Sequence, residues 1–204
     1  MGIVDKAERR YMQYVDREKN IVNAAIKVFG AKSFGSATIS MIAKEAGITE
    51  ATIYKHFAGK RALYEACWQE VKKQVSLHSA EGSVGSSNNI EGILRNEFRF
   101  VREAPEAAAF VLQLASVADD PELREFVKEA MGERIAKITE VLDSIKAKSA
   151  LENKTDTHML SIILLGFSHF LAGARHLGFE DWVKEEEAVA FFQSLTEPRS
   201  KASK

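Results

Sequence analysis

Apolar residues recur every three to four positions along most of the chain, which is the spacing of one face of an α-helix. The alternation of apolar and polar residues that is typical of a β-strand is not found in the sequence. Only three prolines occur in 204 residues, so few positions would interrupt a helix. We therefore predict an all-α fold.

Three short apolar patterns near the N-terminus predict three helices that pack together. Phe34 follows the first pattern as a candidate plug, and Gly47 ends the second, because glycine adopts the left-handed backbone that lets a helix stop. Thr49 then begins the third helix, where its side chain is expected to accept a hydrogen bond from the backbone N–H of Thr52. The apolar positions are Ile21, Val22, Ala25, Val28 and Phe29, then Ile39, Ile42 and Ala43, and then Ile48, Ile53 and Phe57.

Two short helices joined by a glycine turn are typical of a DNA-binding helix-turn-helix. The residues expected to form the DNA interface are Thr38 and Thr49 at the helix starts, Glu50, Ala51, Thr52 and Lys55 toward base edges, and Tyr54, His56 and Lys60 near phosphates. An acid at Glu50 repels phosphates but can accept from a cytosine amino group, so it bears on sequence choice. If Lys60 binds a phosphate, replacing it with Ala should lower the salt dependence of binding by roughly one unit of slope.

The run from Asn20 to Leu63 resembles the DNA-binding domain of the TetR (tetracycline repressor) family. The matching residues are Ala24, Ala25, Val28 and Phe29, then Phe34 and Thr38, the IAKEAGI run, and the TIYKHF run followed by Lys60 and Leu63. The resemblance implies a regulator whose second domain encloses a ligand pocket and whose connector helix moves when ligand binds. It also implies a dimer in which the last two helices of each subunit form a four-helix interface.

Charge and composition divide the chain into two parts. Residues 1–73 contain 13 Lys and Arg against 8 Asp and Glu, whereas the remainder contains 15 against 21. The basic excess coincides with the helix-turn-helix, as expected for a domain that binds phosphates. We predict a DNA-binding domain over 1–64 with an N-terminal extension over 1–18, a helical ligand-binding and dimerisation domain over 65–196, and a disordered tail over 197–204.

Helical patterns continue outside the helix-turn-helix. A long connector is predicted from Lys60 to about Leu77, and the Gly/Ser-rich residues 79–89 are predicted to form a mobile loop. Further helices are predicted over 90–103, 107–118, 121–148, 155–177 and 180–195. At the N-terminus, the charged residues 3–19 either extend the first helix or form a loose basic arm, and a partial helix is our preferred hypothesis.

The second domain supplies candidates for the pocket that the resemblance implies. The predicted ligand-binding residues are Phe98, Val101, Phe110, Gln113, Leu114, Met131, Phe167 and Phe170, with Asn96, Ser116 and His169 as further polar anchors. Their mixture of apolar, aromatic and polar groups suggests a small hydrophobic or aromatic effector. The alternative for each of these residues is a place in a fully packed core.

The helix predicted over 155–177 is apolar on nearly its whole circumference, which a single packed face would not require. One stripe is expected to fill the core and another to meet a partner subunit, and the pattern leaves open which does which. The stripes are Met159, Ile163, Phe167, Phe170 and Ala174, and Ile162, Leu165, Gly166, His169, Ala172, Gly173 and His176. The resemblance adds Trp182, Ala188, Phe191, Phe192 and Leu195 to a homodimer interface, and a homodimer would bind a palindromic operator in double-stranded DNA.

The alternative class of protein is an enzyme, and the sequence contains no set of residues that would form an active site. His158, His169 and His176 lie on one predicted helix without an acidic residue to complete a metal-ligand set. Ser161 and Ser168 lack the context of a catalytic nucleophile. The sequence therefore predicts no catalytic residue, no metal site and no cofactor.

Location follows from simple features of the sequence. The single cysteine, Cys67, excludes an intrachain disulfide, and no apolar signal segment opens the chain. The most apolar run, Met159 to Ala174, is too short to span a bilayer. We predict a cytoplasmic, ligand-responsive regulator, most simply a repressor. The runner-up is a constitutive DNA-binding or scaffold protein whose second domain only dimerises, and a void in that domain would favour the first hypothesis.

Overall fold

The structure, a computed structural model, describes residues 6–81, 90–147 and 156–194. All regular elements in these ranges are helical, which confirms the all-α prediction. The α-helices are α1 (Lys6–Ala31), α2 (Ile39–Ala46), α3 (Glu50–His56), α4 (Lys60–Glu81), α5 (Ile90–Glu103), α6 (Pro105–Leu112), α7 (Pro121–Ala147), α8 (Thr157–Leu177) and α9 (Glu185–Ser194). Two short 3-10 helices, Gln113–Val117 and Glu180–Trp182, lie after α6 and α8.

The N-terminal helices α1, α2 and α3 pack with the start of α4 around a dense apolar core. Ile21, Ile42 and Ile53, one from each of the first three helices, are fully buried. The predicted plug, Phe34, is partly buried and stacks on Phe29, with ring centroids 5.9 Å apart. These contacts confirm the three-helix packing that the apolar spacing predicts.

The last turn of α1 also forms the junction with the second half of the molecule. A Cβ atom added to Gly30 would lie 3.1 Å from the carbonyl oxygen of Glu106 and 3.1 Å from the backbone nitrogen of Phe110, so α1 and α6 touch through their backbones. The Phe110 ring is fully buried and lies 4.9 Å, between centroids, from the ring of Tyr64 on α4. The helix-turn-helix and the second domain therefore share one continuous core.

Helices α5 to α9 build the second domain. Helix α8 packs against α5, α6 and α7, while α9 lies along α5. Leu171 and Ala172 of α8 join the shared core. Leu160 and Leu164, nearer its N-terminus, belong to a smaller apolar cluster with Leu142 of α7. Because α8 contributes to both clusters, it links the junction to the far end of the domain.

One predicted helix boundary near the connector is wrong. The N-terminal extension is helical from Lys6 onward and continuous with α1, which agrees with the preferred hypothesis of a partial helix. Helix α4 ends at Glu81, so residues 79–81 are helical although they were predicted to lie in a loop. The rest of that predicted loop, 82–89, and the predicted tail, 197–204, lie outside the described residues. The proposed domain boundary at residue 64 stays a prediction, and α4 spans it.

Two helices of the second domain also differ from the prediction. The helix expected over 107–118 begins earlier, because Pro105 occupies a first-turn position where no backbone N–H is needed, and a 3-10 helix replaces its second half. The helix expected over 180–195 is divided in the same way, and α9 begins only at Glu185. Apolar spacing does not distinguish an α-helix from a short 3-10 turn at the same positions.

Candidate DNA interface and effector cavity

The turn between α2 and α3 is held by the caps that the sequence predicts. The hydroxyl of Thr38 accepts a hydrogen bond from the backbone N–H of Met41 at 3.2 Å, and Thr49 accepts one from Thr52 at 3.3 Å. Gly47 has a φ of 66°, the left-handed conformation expected of it. The predicted capping role of Thr49 at the start of α3 is therefore confirmed, and Thr38 caps the start of α2 in the same way.

One face of α3 is open to solvent, while Ile53 on the opposite face is fully buried. The predicted DNA contacts on this helix are Glu50, Ala51, Tyr54 and Lys55, which are exposed, and Thr52, which is half-buried. A helix is about 10–12 Å across with its side chains, and the major groove is about 12 Å wide. The structure thus brings these residues together on a surface that fits the groove, and their contact with DNA stays a prediction.

Lys60 has a role within the protein that the sequence did not indicate. Its ammonium donates hydrogen bonds to the carbonyl oxygens of Phe34 at 2.8 Å and Ala37 at 3.0 Å, and it lies 4.3 Å from the centre of the Phe34 ring. An ammonium has three N–H donors, so one is left for a phosphate. Lys60 therefore ties the first turn of α4 to the α1–α2 turn, which apolar spacing cannot show because the acceptors are distant in sequence.

His56, the last residue of α3, is half-buried against α1. Its ring stacks on Tyr14, with centroids 4.2 Å apart and an angle of 25° between the planes. Its Nδ1 atom is buried and has no hydrogen-bond partner among the described residues. One side of the ring that was predicted to lie near a phosphate is therefore covered by the N-terminal part of α1.

Polar contacts reinforce the junction between the two halves. The hydroxyl of Ser116, predicted to be a pocket anchor, instead accepts a hydrogen bond from the backbone N–H of Phe34 at 3.1 Å. The guanidinium of Arg61 lies 3.0 Å from the carboxylate of Asp120. The backbone N–H of Leu123 and the Arg61 guanidinium together hold the pKa of Asp120 below its ordinary value. Both contacts join the helix-turn-helix to the segment between α6 and α7.

A cavity of about 690 Å³ lies within the second domain, bounded mainly by α4, α5, α7 and α8. Its apolar lining consists of Trp68, Val71, Val75, Ile93, Phe100, Val111, Ala130, Met131, Ile138, Val141, Leu165 and Ala172. The polar lining consists of Lys72, Asn96, Glu97, Glu133, Arg134, Lys137, Ser168 and His169. Its volume lies within the range of about 300–1,000 Å³ that is typical of small-molecule sites.

The structure corrects most of the predicted lining. Met131 borders the cavity, as do the polar candidates Asn96 and His169. The predicted residues that do not line it are Phe98, Val101, Phe110, Gln113, Leu114, Phe167 and Phe170. Phe110 belongs to the junction core, and Phe170 is 44% exposed on the outer surface. Apolar spacing identified residues on packed faces, but which of several neighbouring helices each face meets depends on the tertiary arrangement.

Two polar groups outside the ion pairs line the cavity, the His169 ring and the Asn96 amide. The Nδ1 atom of His169 lies 2.9 Å from the carbonyl oxygen of Leu165, and since a carbonyl can only accept, the ring N–H is on Nδ1. The other ring nitrogen, Nε2, is left for a group on a ligand. Asn96 is 9% exposed and supplies an amide, which both donates and accepts. These two groups can orient a hydroxyl, amide or carbonyl on an otherwise apolar ligand.

The charged residues of the cavity wall are arranged in pairs. Arg134 of α7 lies 2.9 Å from the carboxylate of Glu97 on α5, and both side chains are largely buried. Lys72 of α4 lies 3.0 Å from the carboxylate of Glu133 on α7, in a more exposed position. Paired charges reduce the attraction of the site for a simple ion, so the lining is better suited to a mainly apolar molecule.

A broad apolar surface lies on the outer side of α8 and α9. Its exposed members, which we call the outer apolar surface, are Met159, Ile162, Ile163, Phe170, Leu177, Trp182 and Phe191. It combines members of both predicted α8 stripes. Ala188 and Phe192, predicted to be interface residues, are instead buried within the same subunit, and Leu195 lies outside the described residues. Large apolar residues that are exposed together make this surface a candidate for contact with a partner.

Helix α8 is long enough to cross a membrane, contrary to the length argument from sequence. It has 21 residues and a mean hydropathy of 1.4 in its most apolar window. The run from Met159 to Ala174 underestimated the helix because its ends are less apolar. However, α8 packs against three helices of the second domain, as a core helix of a water-soluble protein does. Among the described residues, no group of three His, Cys, Asp or Glu side chains is placed to hold a metal ion.

The helix-turn-helix geometry agrees with comparisons to known proteins. The family model described as bacterial regulatory proteins of the tetR family matches residues 21–67. The HTH-type transcriptional regulator SrpR of Pseudomonas putida is 37% identical over 51 residues. That match covers 25% of this chain and 24% of SrpR, so the chain spans about a quarter of the length of this relative.

Solved structures resemble the whole fold. A TetR transcriptional regulator from Chloroflexus aurantiacus has a TM-score of 0.74 and 21% identity, with 90% of this chain and 95% of that chain covered. FadR from Bacillus subtilis, in complex with stearoyl-CoA, has a TM-score of 0.71 and 14% identity, with 88% and 99% covered. Residues 21–67 therefore form a helix-turn-helix that matches the tetR family of bacterial regulatory proteins. The fold of the whole chain is similar to that of solved TetR-family regulators.

Proposed function

We propose that this protein is a ligand-responsive regulator that binds a palindromic operator as a homodimer and is released by a small, mainly apolar effector. A dimer seated on a promoter excludes other proteins from that DNA, so repression is the direct consequence of binding. The observation that supports this proposal most strongly is that a single helix, α4, contributes both to the helix-turn-helix core and to the cavity wall.

The course of α4 connects ligand and DNA. At its start, Leu63 and Tyr64 are fully buried against the helix-turn-helix, and Lys60 holds the α1–α2 turn. Further along, Trp68 and Val71 form part of the cavity wall. A ligand that alters the position of this wall must move a helix whose other end supports α3. An effector changes DNA affinity only if it binds the protein more tightly when α4 is in one position than when α4 is in the other.

The cavity supports an effector with a substantial apolar body. Its lining combines side chains such as Trp68 and Met131 with the polar groups of Asn96 and His169. The FadR structure with which the fold is similar contains stearoyl-CoA, a molecule with a long apolar chain. A cavity of this size also favours the ligand-responsive hypothesis over a constitutive DNA-binding or scaffold protein, whose second domain would need no void.

The outer apolar surface supports a homodimer. Ile163 of α8, Trp182 of the 3-10 helix that precedes α9, and Phe191 of α9 are all more than 40% exposed, although each is large and apolar. Covering them with the same surface of a second copy would create a two-fold interface, and that symmetry matches a palindromic operator. Association through α8 also explains its apolar circumference without a membrane, so we place the protein in the cytoplasm.

Selection from random DNA and effector screening test the proposal together. The full chain is first used to select operator sequences, which should contain inverted repeats. Release of a selected operator is then measured by fluorescence anisotropy against a panel of long-chain fatty acids, their acyl thioesters and aromatic alcohols. We expect at least one class to lower DNA affinity, and we expect the same compound to raise the melting temperature of the protein.

A matched pair of variants locates the response. Ala130 lines the cavity and Ala136 is exposed on the same helix, so Ala130→Phe fills the void whereas Ala136→Phe does not. We expect Ala130→Phe to bind operator and to lose the response, and Ala136→Phe to keep both properties. A full response in Ala130→Phe would show that the effector binds elsewhere.

A further inference from the structure

The N-terminal part of α1 continues far beyond the core of the helix-turn-helix. Of residues 13–20 all are exposed except Glu18, which is half-buried, and the next residue, Ile21, is fully buried. From Lys6 to Asn20 the helix is about 22 Å long at 1.5 Å per residue. A stretch of helix as exposed as residues 13–20 is suited to contact with another molecule.

Two contacts fix this part of α1 to the elements that face DNA. The side-chain amide of Asn20 donates a hydrogen bond to the carbonyl oxygen of Ala46, at the end of α2, at 3.1 Å. Six residues earlier, about 9 Å along the axis, Tyr14 stacks on His56 at the end of α3. The extension therefore has a defined position relative to the recognition helix.

That position lies beside the exposed face of α3. His56 is four residues after Thr52, so the two share one flank of the helix. When a recognition helix enters the major groove, its flanks face the two sugar-phosphate strands that border the groove. A helix docked on the His56 flank therefore lies next to one of these strands.

The charge of the extension suits a phosphate strand. Residues 6–19 contain five Lys and Arg against three Asp and Glu. Positions 6, 10, 13 and 17 share one side of a helix by their spacing, and they hold Lys, Arg, Gln and Arg. Arg17 is exposed, and it forms no ion pair with the side chains described in residues 13–75, 90–147 and 156–194.

We propose that α1 upstream of Asn20 is a second DNA contact, in which the basic side that includes Arg10 and Arg17 binds the sugar-phosphate strand beside the recognition helix. Tyr14 is a positioning residue, because its stack on His56 holds the extension there. The proposal rests on the proposed operator-binding function, and it extends the DNA interface beyond α2 and α3.

The salt dependence of operator affinity tests this proposal. Each phosphate contact that is lost lowers the slope of log affinity against log salt by about 0.9, so Arg10→Ala/Arg17→Ala should lower it by about 1.8 for each half-site. The control is Lys128→Ala/Lys184→Ala, which removes the same charge from two exposed sites on α7 and ahead of α9. We expect the control to keep the slope of the unmodified protein.

Positioning by Tyr14 has its own test. Tyr14→Ala should weaken operator binding, whereas Tyr14→Phe preserves the stacked ring and should restore the affinity. Circular dichroism melting confirms that each variant is folded. An unchanged slope in the double arginine variant, or an equal loss in the control, would overturn the inference while leaving operator binding intact. Failure of the unmodified protein to bind any selected DNA would overturn the proposed function as well.

Discussion

The helix-turn-helix and the second domain use their apolar residues differently. In the first, short capped helices close around fully buried side chains such as Ile42 and Ile53, and the exposed face of α3 is mainly polar. In the second, long helices leave a cavity of about 690 Å³ and an outer apolar surface. The first region is complete within one chain. The second has two apolar surfaces to cover, which is the expected condition of a domain that binds a ligand and a second copy.

The largest effect is expected from breaking the outer apolar surface. Ile163→Glu places a charge where a second copy would bury an apolar side chain, so it should separate the dimer. Loss of the second half-site should lower operator affinity about 10²-fold or more. Sedimentation equilibrium gives the mass and anisotropy gives the affinity. Ala136→Glu, an equally charged change at an exposed site on α7, is the control, and a dimeric Ile163→Glu protein would exclude this surface as the interface.

The next largest effect should come from the junction that joins the two regions. Gly30→Val would drive side-chain atoms into the backbone of α6, and we expect it to lower the free energy of unfolding by about 1–3 kcal/mol. Gly132→Val is the matched control, because open space surrounds that position on α7. Urea denaturation measures both variants. Equal stability of the two would show that the close approach of α1 and α6 is not required.

Lys60 tests whether the helix-turn-helix is stabilised from within. Lys60→Met removes two charge-assisted hydrogen bonds to backbone carbonyls, and we expect a loss of about 1–2 kcal/mol in the free energy of unfolding. Lys55→Met, on the exposed face of α3, should leave stability within about 0.5 kcal/mol and weaken DNA binding. If Lys60→Met instead kept its stability and lowered the dependence of DNA affinity on salt, phosphate binding would be the main role of Lys60.

The smallest effect concerns pH and the Arg61–Asp120 contact. Because the pKa of Asp120 is lowered in the folded protein, its stabilising contribution is present above its ordinary pKa of about 4 and is lost as the pH falls through the lowered value. Asp120→Asn should therefore melt at a lower temperature than the unmodified protein at neutral pH, and the difference should shrink as the pH falls below about 4. A difference in melting temperature that increased as the pH fell would contradict this role of Asp120.

The sequence predicted the helix-turn-helix in detail because its signals are local. A cap such as Thr49 and a turn residue such as Gly47 act on the backbone within a few residues. The roles of Lys60 and Ser116 were missed because the partners of Lys60 lie 23 and 26 residues away along the chain and the partner of Ser116 lies 82 residues away. Those distances along the chain become short only when the helices have packed.

The cavity was harder to predict for the same physical reason. Phe110 and Met131 both occupy apolar positions of predicted helices, yet one fills the junction and the other faces the void. Helical spacing shows that a side chain is turned inward, but not whether another side chain fills the space opposite. Likewise, the outer apolar surface of α8 combines residues from both predicted stripes. The positions of α5, α6 and α7 around α8 decide which part of its circumference is buried.

Operator binding by the unmodified full chain is the measurement that tests the account most directly. DNA selected from a random pool is titrated by fluorescence anisotropy at two salt concentrations, with unselected DNA as competitor. The account predicts an inverted-repeat site that is bound as a dimer, that survives the competitor and that weakens with salt. Equal affinity for selected and unselected DNA, or no binding at either salt concentration, would contradict it.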